Sequence, residues 1–474
     1  TAMGYRALYT NTSGIQNVGV GNSALLSNTT GERNVAVGWR VADANTTGNR
    51  NTAIGDHAFS DNTTGNYNVC MGSSSLSNNT TASNNTAIGY EAMLNNTTGT
   101  RNTAVGSYAL DANTTSDDNT AVGYNALTAN TTGGANSAFG YGALDANSTG
   151  GNNNSFGAYS LSASTVSDNN AFGSYALHNN TTGTFNAAFG HRTMISNTTG
   201  GYNTAVGAYA LDANTTADNN TAVGYDALGA NTTGTSNCAM GYQALAGNID
   251  HSHNTAFGFM ALLNNDAHYN TACGKEAVKM NTSGSRLVGV GNRALYTNTT
   301  GSWNHAFGDH ALFYNTTGAS NTAVGYGALT ANTTANNNTA VGRSVLNTST
   351  TADDCTAMGY ATLYSLTTGG YNTALGFQAG YHVTTGTGNV CLGYKAGQDQ
   401  ITTGSNLLFI ARSNTGAGNA ATWIYGQADG DLYQGNNTTT WSTTSDRRLK
   451  KNITDSPKGL AEINQLRVAN FEYR

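Results

Sequence analysis

Proline is nearly missing from this 474-residue chain, which has one, and charge is scarce: Asp, Glu, Lys and Arg make up 10% of it, with a formal net charge of −6. Disordered chains stay open through charge or proline, so a chain this poor in both is not a solvated polyelectrolyte. The only basic run is Arg447, Arg448, Lys450 and Lys451. A nucleic-acid partner needs a basic stripe, and none is expected. No apolar stretch approaches the ~18 residues that cross a bilayer, so no membrane insertion is expected, and no signal-peptide pattern follows Thr1. The chain opens in mid-repeat and is expected to be a piece of a longer protein. Its five cysteines, Cys70, Cys238, Cys273, Cys355 and Cys391, lie far apart with no CxxC pair. They are expected to be small buried apolar residues rather than ligands or bridges.

What the chain does have is repetition. One glycine recurs 24 times from Gly4 to Gly393, and of the 23 intervals 21 are 17 residues and two are 16. From that glycine the unit reads approximately G-Y-x-A-L-x-x-N-T-T-G-x-x-N-T-A-V. Missing such a period would miscall the fold. Seventeen residues with a turn-rich N-T-T-G in the middle cannot hold two helices, but they can hold two short strands and two turns. The expected fold is therefore all-β, a long parallel β-solenoid or β-roll of 24 units over residues 1–397, each coil pairing with the next. At ~4.8 Å per rung the rod is on the order of 110 Å long. The residue before the glycine is apolar in every unit, and Leu usually stands four after it. Val105, Val122 and Val206, with Leu110, Leu127 and Leu211, are expected to point into the coil.

Asparagine fills the seventh place after the glycine in 19 of 24 units, including Asn11, Asn28, Asn45, Asn62 and Asn96. Another stands four before it, as in Asn17, Asn34, Asn51 and Asn102. Both are expected at corners, with their amides stacked as ladders. N-T-T is also a glycosylation sequon, although the repeat would generate it without any glycosylating enzyme.

The run Asn119 to Leu127, repeated at Asn321 to Leu329, resembles the left-handed β-roll repeats of trimeric autotransporter adhesin heads and the repeat shafts of phage tail fibres. That resemblance implies three chains side by side. Farther on, Trp441 to Ile453 resembles the entry to the endosialidase-type intramolecular chaperone of phage tail fibres and tailspikes. In that family a Ser-Asp bond is cut autocatalytically after trimer assembly, assisted by a lysine five residues beyond the serine. Ser445, Asp446 and Lys450 match those positions, and residues 446–474 are expected to be the truncated start of the chaperone, a short α+β segment. Ser456-Pro457 would open a short helix there. Residues 398–445, with the clusters Leu407 to Ile410 and Trp423 to Tyr425, are expected to cap and connect.

Little else carries chemistry. No Ser-His-Asp spacing, P-loop, dinucleotide fingerprint or HExxH motif occurs, so neither turnover enzyme nor cofactor is expected. Asp250, His251, His253 and His268 fall in adjacent units and could approach a metal, but exposed corner histidines are the simpler reading. Asp117-Asp118 and Asp353-Asp354 read as solvated turns. Tyrosine follows the glycine in nine units, among them Tyr5, Tyr90, Tyr124, Tyr141 and Tyr225. Such a row suits contacts between chains of a homotrimer, or stacking on a host-surface glycan. The expected function is a structural fibre of a phage tail or similar extracellular appendage. The rivals are a bacterial trimeric adhesin, an ice-binding solenoid with a flat threonine face, and a polysaccharide-cleaving tailspike.

Overall fold

The computed structural model describes residues 1–399, 401–412 and 422–434. It is the all-β parallel solenoid that the period implies. Each unit contributes one short strand, of three residues in all but the first, such as Thr103–Val105, Thr120–Val122 and Ser137–Phe139. Each strand pairs in parallel with those of the coils before and after it, so that Val105 lies beside Val122 and Val122 beside Phe139.

The second expected strand does not form. Beyond the glycine, positive φ recurs three times per coil, as at Asn125 (φ 55), Leu127 (φ 56) and Ala135 (φ 58). Left-handed residues cannot extend, and each costs about 1–2 kcal/mol in isolation. Bonds to neighbouring coils hold them: Leu127 N–H donates to Ala143 O at 2.9 Å and Asn125 N–H to Ser107 O at 3.2 Å. Backbone groups are thus satisfied from coil to coil without sheet geometry.

The interior is narrow. In one coil Ala121, Ala126, Leu127, Asn130 and Asn136 are fully buried. Leu110, Leu127 and Leu211 face inward as expected. The residue before the glycine does not: Val105 and Val122 are half-buried and Val206 is exposed, while Ala104, Ala121 and Ala205 are buried in their stead. Side chains alternate along a strand, so a three-residue strand sends only its middle one inside. There the space is tight, since a Cβ added at Gly289 would come 2.5 Å from Val278 Cγ2.

The same alternation decides the cysteines. Cys70, Cys355 and Cys391 are buried, and burial raises their thiol pKa values, to about 11 for Cys355 and about 12 for Cys391. Cys238 and Cys273 contradict the expectation of burial, because they occupy the outward positions of Cys238–Met240 and Thr271–Cys273.

Both asparagine columns lie inside. The column after the leucine is an amide-to-amide ladder: Asn28 Nδ2 donates to Asn11 Oδ1 (2.7 Å), Asn45 to Asn28 (2.8 Å) and Asn62 to Asn45 (2.7 Å). The column before the strand works differently. Asn34 Oδ1 accepts the backbone N–H of Asn51 (2.9 Å), while Asn34 Nδ2 donates to the corner carbonyl of Gly48 (2.8 Å). The asparagines of the N-T-T sequons are those of the first ladder, and Asn45, Asn62 and Asn96 are buried with their amide nitrogens engaged. A glycan there would require the residue to leave the ladder. Asn214→Ala is expected to cost about 1–3 kcal/mol, because Asn197 Oδ1 and Asn231 Nδ2 both lose a buried partner. Hydrogen exchange should show lost amide protection centred on the coils of Asn197 and Asn231.

Two coils are one residue short, with Asn154 paired to Asn170 and Thr255 to Thr271. Both omit the second threonine of the corner. In the first, Thr165 Oγ1 donates to Thr181 O as first threonines do, and Val166 supplies the carbonyl taken by Asn153 Nδ2. In the second, Ala267 supplies it, to Asn265 Nδ2.

At the C-terminal end coil-to-coil bonding continues, with Thr384 Oγ1 donating to Thr402 O (2.9 Å) and Val390 N–H to Leu407 O (2.8 Å). The two apolar clusters form strands there. Leu408–Ala411 is parallel to Val390–Leu392, and then Thr422–Gly426 and Leu432–Gln434 add antiparallel. This reversal covers the last parallel edge.

Candidate interaction surface

Because the middle residue of each strand goes inside, the other two form parallel columns on the outer face. The first is Thr in many coils, as at Thr52, Thr103, Thr120 and Thr221. The second is apolar throughout and nowhere buried: Met71, Ile88, Phe189, Val206, Met240, Phe257, Phe307, Met358 and Leu375 are all exposed, Phe257 at 53%. In its middle, Phe139, Phe156, Phe172 and Phe189 stack nearly parallel, with centroids 4.6, 4.7 and 4.8 Å apart. Rings at strand spacing gain offset stacking at no extra ordering cost, since the backbone already sets their separation.

The tyrosine row borders this face beyond the glycine. Tyr124 and Tyr141 stack at 5.3 Å, as do Tyr225, Tyr242 and Phe259 at 5.4 and 5.3 Å. Tyr159 bonds to Tyr141, which raises its phenol pKa. The expected row exists and is exposed, with Tyr124 at 45% and Tyr141 at 49%.

The threonines of the corners behave in two ways. The first of nearly every N-T-T is half-buried, Thr181 being exposed, and its hydroxyl donates to the next coil, Thr29 to Thr46 O and Thr46 to Thr63 O at 3.0 and 2.9 Å. The second forms an exposed column from Thr30 to Thr149 that the short coil at Val166 interrupts, and Asp250 interrupts it again. An ice-binding face needs breadth and continuity; the corner column is broken, and the threonines of the strand face give way to other residues at Val69, Asn154, Ala187 and His305.

The acidic pairs are turn acceptors. Asp117 Oδ1 accepts Thr100 N–H (2.6 Å), and Asp118 pairs with Arg101 (2.6 Å), which lowers the carboxyl pKa of Asp118. Asp353 Oδ1 accepts Asn336 N–H (2.6 Å), and Asp354 accepts the side chain of Asn337 (3.1 Å). Among the four residues weighed as metal ligands, Asp250 and His251 are in contact and His268 packs on His251, whereas His253 turns away to stack on Tyr269. The sequence reading missed Asp266, which joins Asp250 and His251. Its signal was the replacement of N-T-T-G at two successive corners, the second of them in a short coil.

Ser445, Asp446 and Lys450 lie outside the described residues. They fall in the span that matches a known family. Residues 445–474 match the family described as chaperone of endosialidase. No curated protein matches the chain. The molecule is thus a β-solenoid repeat protein of about 24 turns whose C-terminal segment is similar to that chaperone.

Proposed function

We propose that this chain is the shaft of a trimeric fibre, of a phage tail or a similar extracellular appendage, that holds an attachment element away from its base. The observation that carries this reading is the unbroken apolar column on the strand face. At roughly 60 Å² of exposed side chain per rung the column sums to well over 1,000 Å², against the few hundred Å² that a soluble monomer usually tolerates. Three copies turning this face toward a common axis would hide it, gaining roughly 1–2 kcal/mol per rung and chain. The exposed apolar column supports the strand face over the tyrosine row as the contact between chains, with the tyrosines at its border open to a surface glycan. The C-terminal match supports the same reading, because chaperones of this kind resemble those that assemble trimeric fibres.

Cys273 tests it directly, since it stands in the apolar column. In a trimer three Cys273 thiols meet at the axis, so mild oxidation should join chains into covalent dimers in wild type but not in Cys273→Ser. Sedimentation should give three chains. A monomer at micromolar concentration, or Cys273 freely open to a thiol reagent in the assembled species, would sink the reading.

Self-processing at Ser445-Asp446 belongs to the same proposal. A serine hydroxyl needs a base, and a lysine can serve when neighbouring positive charge lowers its pKa. Arg447, Arg448 and Lys451 surround Lys450 in sequence. With the full-length gene expressed, the shaft should end at Ser445 by mass, and both Ser445→Ala and Lys450→Ala should leave it uncut. An uncut, properly assembled wild type would remove this part of the proposal.

A further inference from the structure

The regular corner is broken in two adjacent coils. Where Asn45-Thr46-Thr47-Gly48 is typical, these coils have Asn248-Ile249-Asp250-His251 and Asn265-Asp266-Ala267. The second lacks the exposed threonine position, which draws its single turn residue, Asp266, toward the coil before it. There Asp250 Oδ1 and Asp266 Oδ1 lie 2.9 and 3.0 Å from one atom, His251 Nδ1.

An imidazole Nδ1 has one proton or one lone pair, so it cannot make a full, well-aligned hydrogen bond to two carboxylates at once. In fact it bonds neither. His251 Nδ1 is shielded from solvent and has no hydrogen-bond partner, although both oxygens are within 3.0 Å of it. A shared cation resolves this geometry. Ligands about 2.1 Å from one ion stand roughly 3.0–3.4 Å from each other across octahedral to tetrahedral angles, close to the separations of the two carboxylate oxygens from His251 Nδ1. Among the described residues, neither aspartate pairs with a lysine or arginine that would neutralise it.

The site is also held in place. The His251 carbonyl accepts Asn237 Nδ2 (2.9 Å) and Asn248 Nδ2 (2.8 Å), the two buried asparagine columns. Asp266 N–H donates to Thr282 O (3.0 Å). The ring of His251 rests against that of His268 at 4.5 Å, and His268 Nδ1 accepts Ser252 N–H (2.9 Å), which fixes the second ring.

We propose that Asp250, His251 and Asp266 bind a divalent transition ion of the Zn²⁺ class, with one nitrogen and two oxygen ligands and the remaining positions open to water. An imidazole in the set disfavours Ca²⁺ and Mg²⁺, which take oxygen. The ion ties two successive coils together at the corner where the threonine column is interrupted.

The test uses the chain as produced and assembled, loaded with Zn²⁺, freed of excess by gel filtration and analysed for metal, with Co²⁺ absorption as a second readout. His251→Gly and Asp250→Thr each restore the residue that regular coils carry, so these variants should wind normally. Wild type is expected to retain stoichiometric Zn²⁺ and to show a Co²⁺ ligand-field band, and both variants to lose them. Wild type that retains no metal, or a His251→Gly variant that retains as much as wild type, overturns the proposal.

Discussion

Alanine in place of Gly140 is expected to part the shaft at that coil. Gly140 has φ +139, a conformation closed to residues with a side chain, and an added Cβ would stand 2.6 Å from Gly157 O and 2.7 Å from Gly157 C. The obstacle is the backbone of the next coil, which no rotamer change can move aside. Strain of this kind costs about 1–3 kcal/mol by itself, and the clash adds the coil-to-coil bonds that must open to relieve it. Limited proteolysis should cut wild-type shaft slowly and the variant quickly, at one place near residue 140. Gly327 is the control. Its φ of +63 is shared by Tyr108, Asn125 and Ser344 at the same place in other coils, so Gly327→Asn should leave the shaft intact.

Leu127→Asp should do comparable damage from the inside. Leu127 is fully buried in a column with Leu110 and Leu144, and its loss to alanine alone would cost about 2–5 kcal/mol. A carboxylate there adds a desolvation penalty of several kcal/mol with no cation to meet it. Hydrogen exchange should show the coils from Leu110 to Leu144 open while distant coils stay protected, since each unit contacts only its neighbours. Protection unchanged across those coils would mean that the leucine column is not the core. Val122→Asp, five residues away on the outer face, should leave a single chain wound and act only on association between chains.

The period, the solenoid, the inward leucines and the amide ladder were all legible in the sequence, because each depends on identity repeated at a fixed spacing. The facing of the strand was not. Its most apolar residue was assigned to the interior, yet that position ranges in size from Cys273 to Phe189, whereas the one before it is Ala, Gly, Ser or Cys in every coil. A closed interior admits one size and an outer face admits many, so variance in volume was the better guide to burial than hydrophobicity. The two outward cysteines were missed because burial was assigned to the residue type and not to its place in the strand. The second strand failed for another reason: Tyr favours extended backbone on average, but here bonds between coils hold Tyr108, like Leu127, left-handed. Asp266 escaped notice because its partner corner lies one coil away and its own turn is a residue short. Ser445, Asp446 and Lys450 rest on resemblance and on the match over residues 445–474.

The two short coils bear on how such a molecule changes over generations. Pairing runs straight through both deletions, Asn154 to Asn170 and Thr255 to Thr271, so a residue lost from the corner does not disturb the strand that follows. Gain or loss of a whole unit disturbs even less, because every unit presents the same donors and acceptors to its neighbour. Reach therefore becomes a quantity that unequal recombination among near-identical repeats can adjust in increments of about 4.8 Å, one coil at a time. For the fibre shaft we propose, that variation would change reach without requiring a new fold.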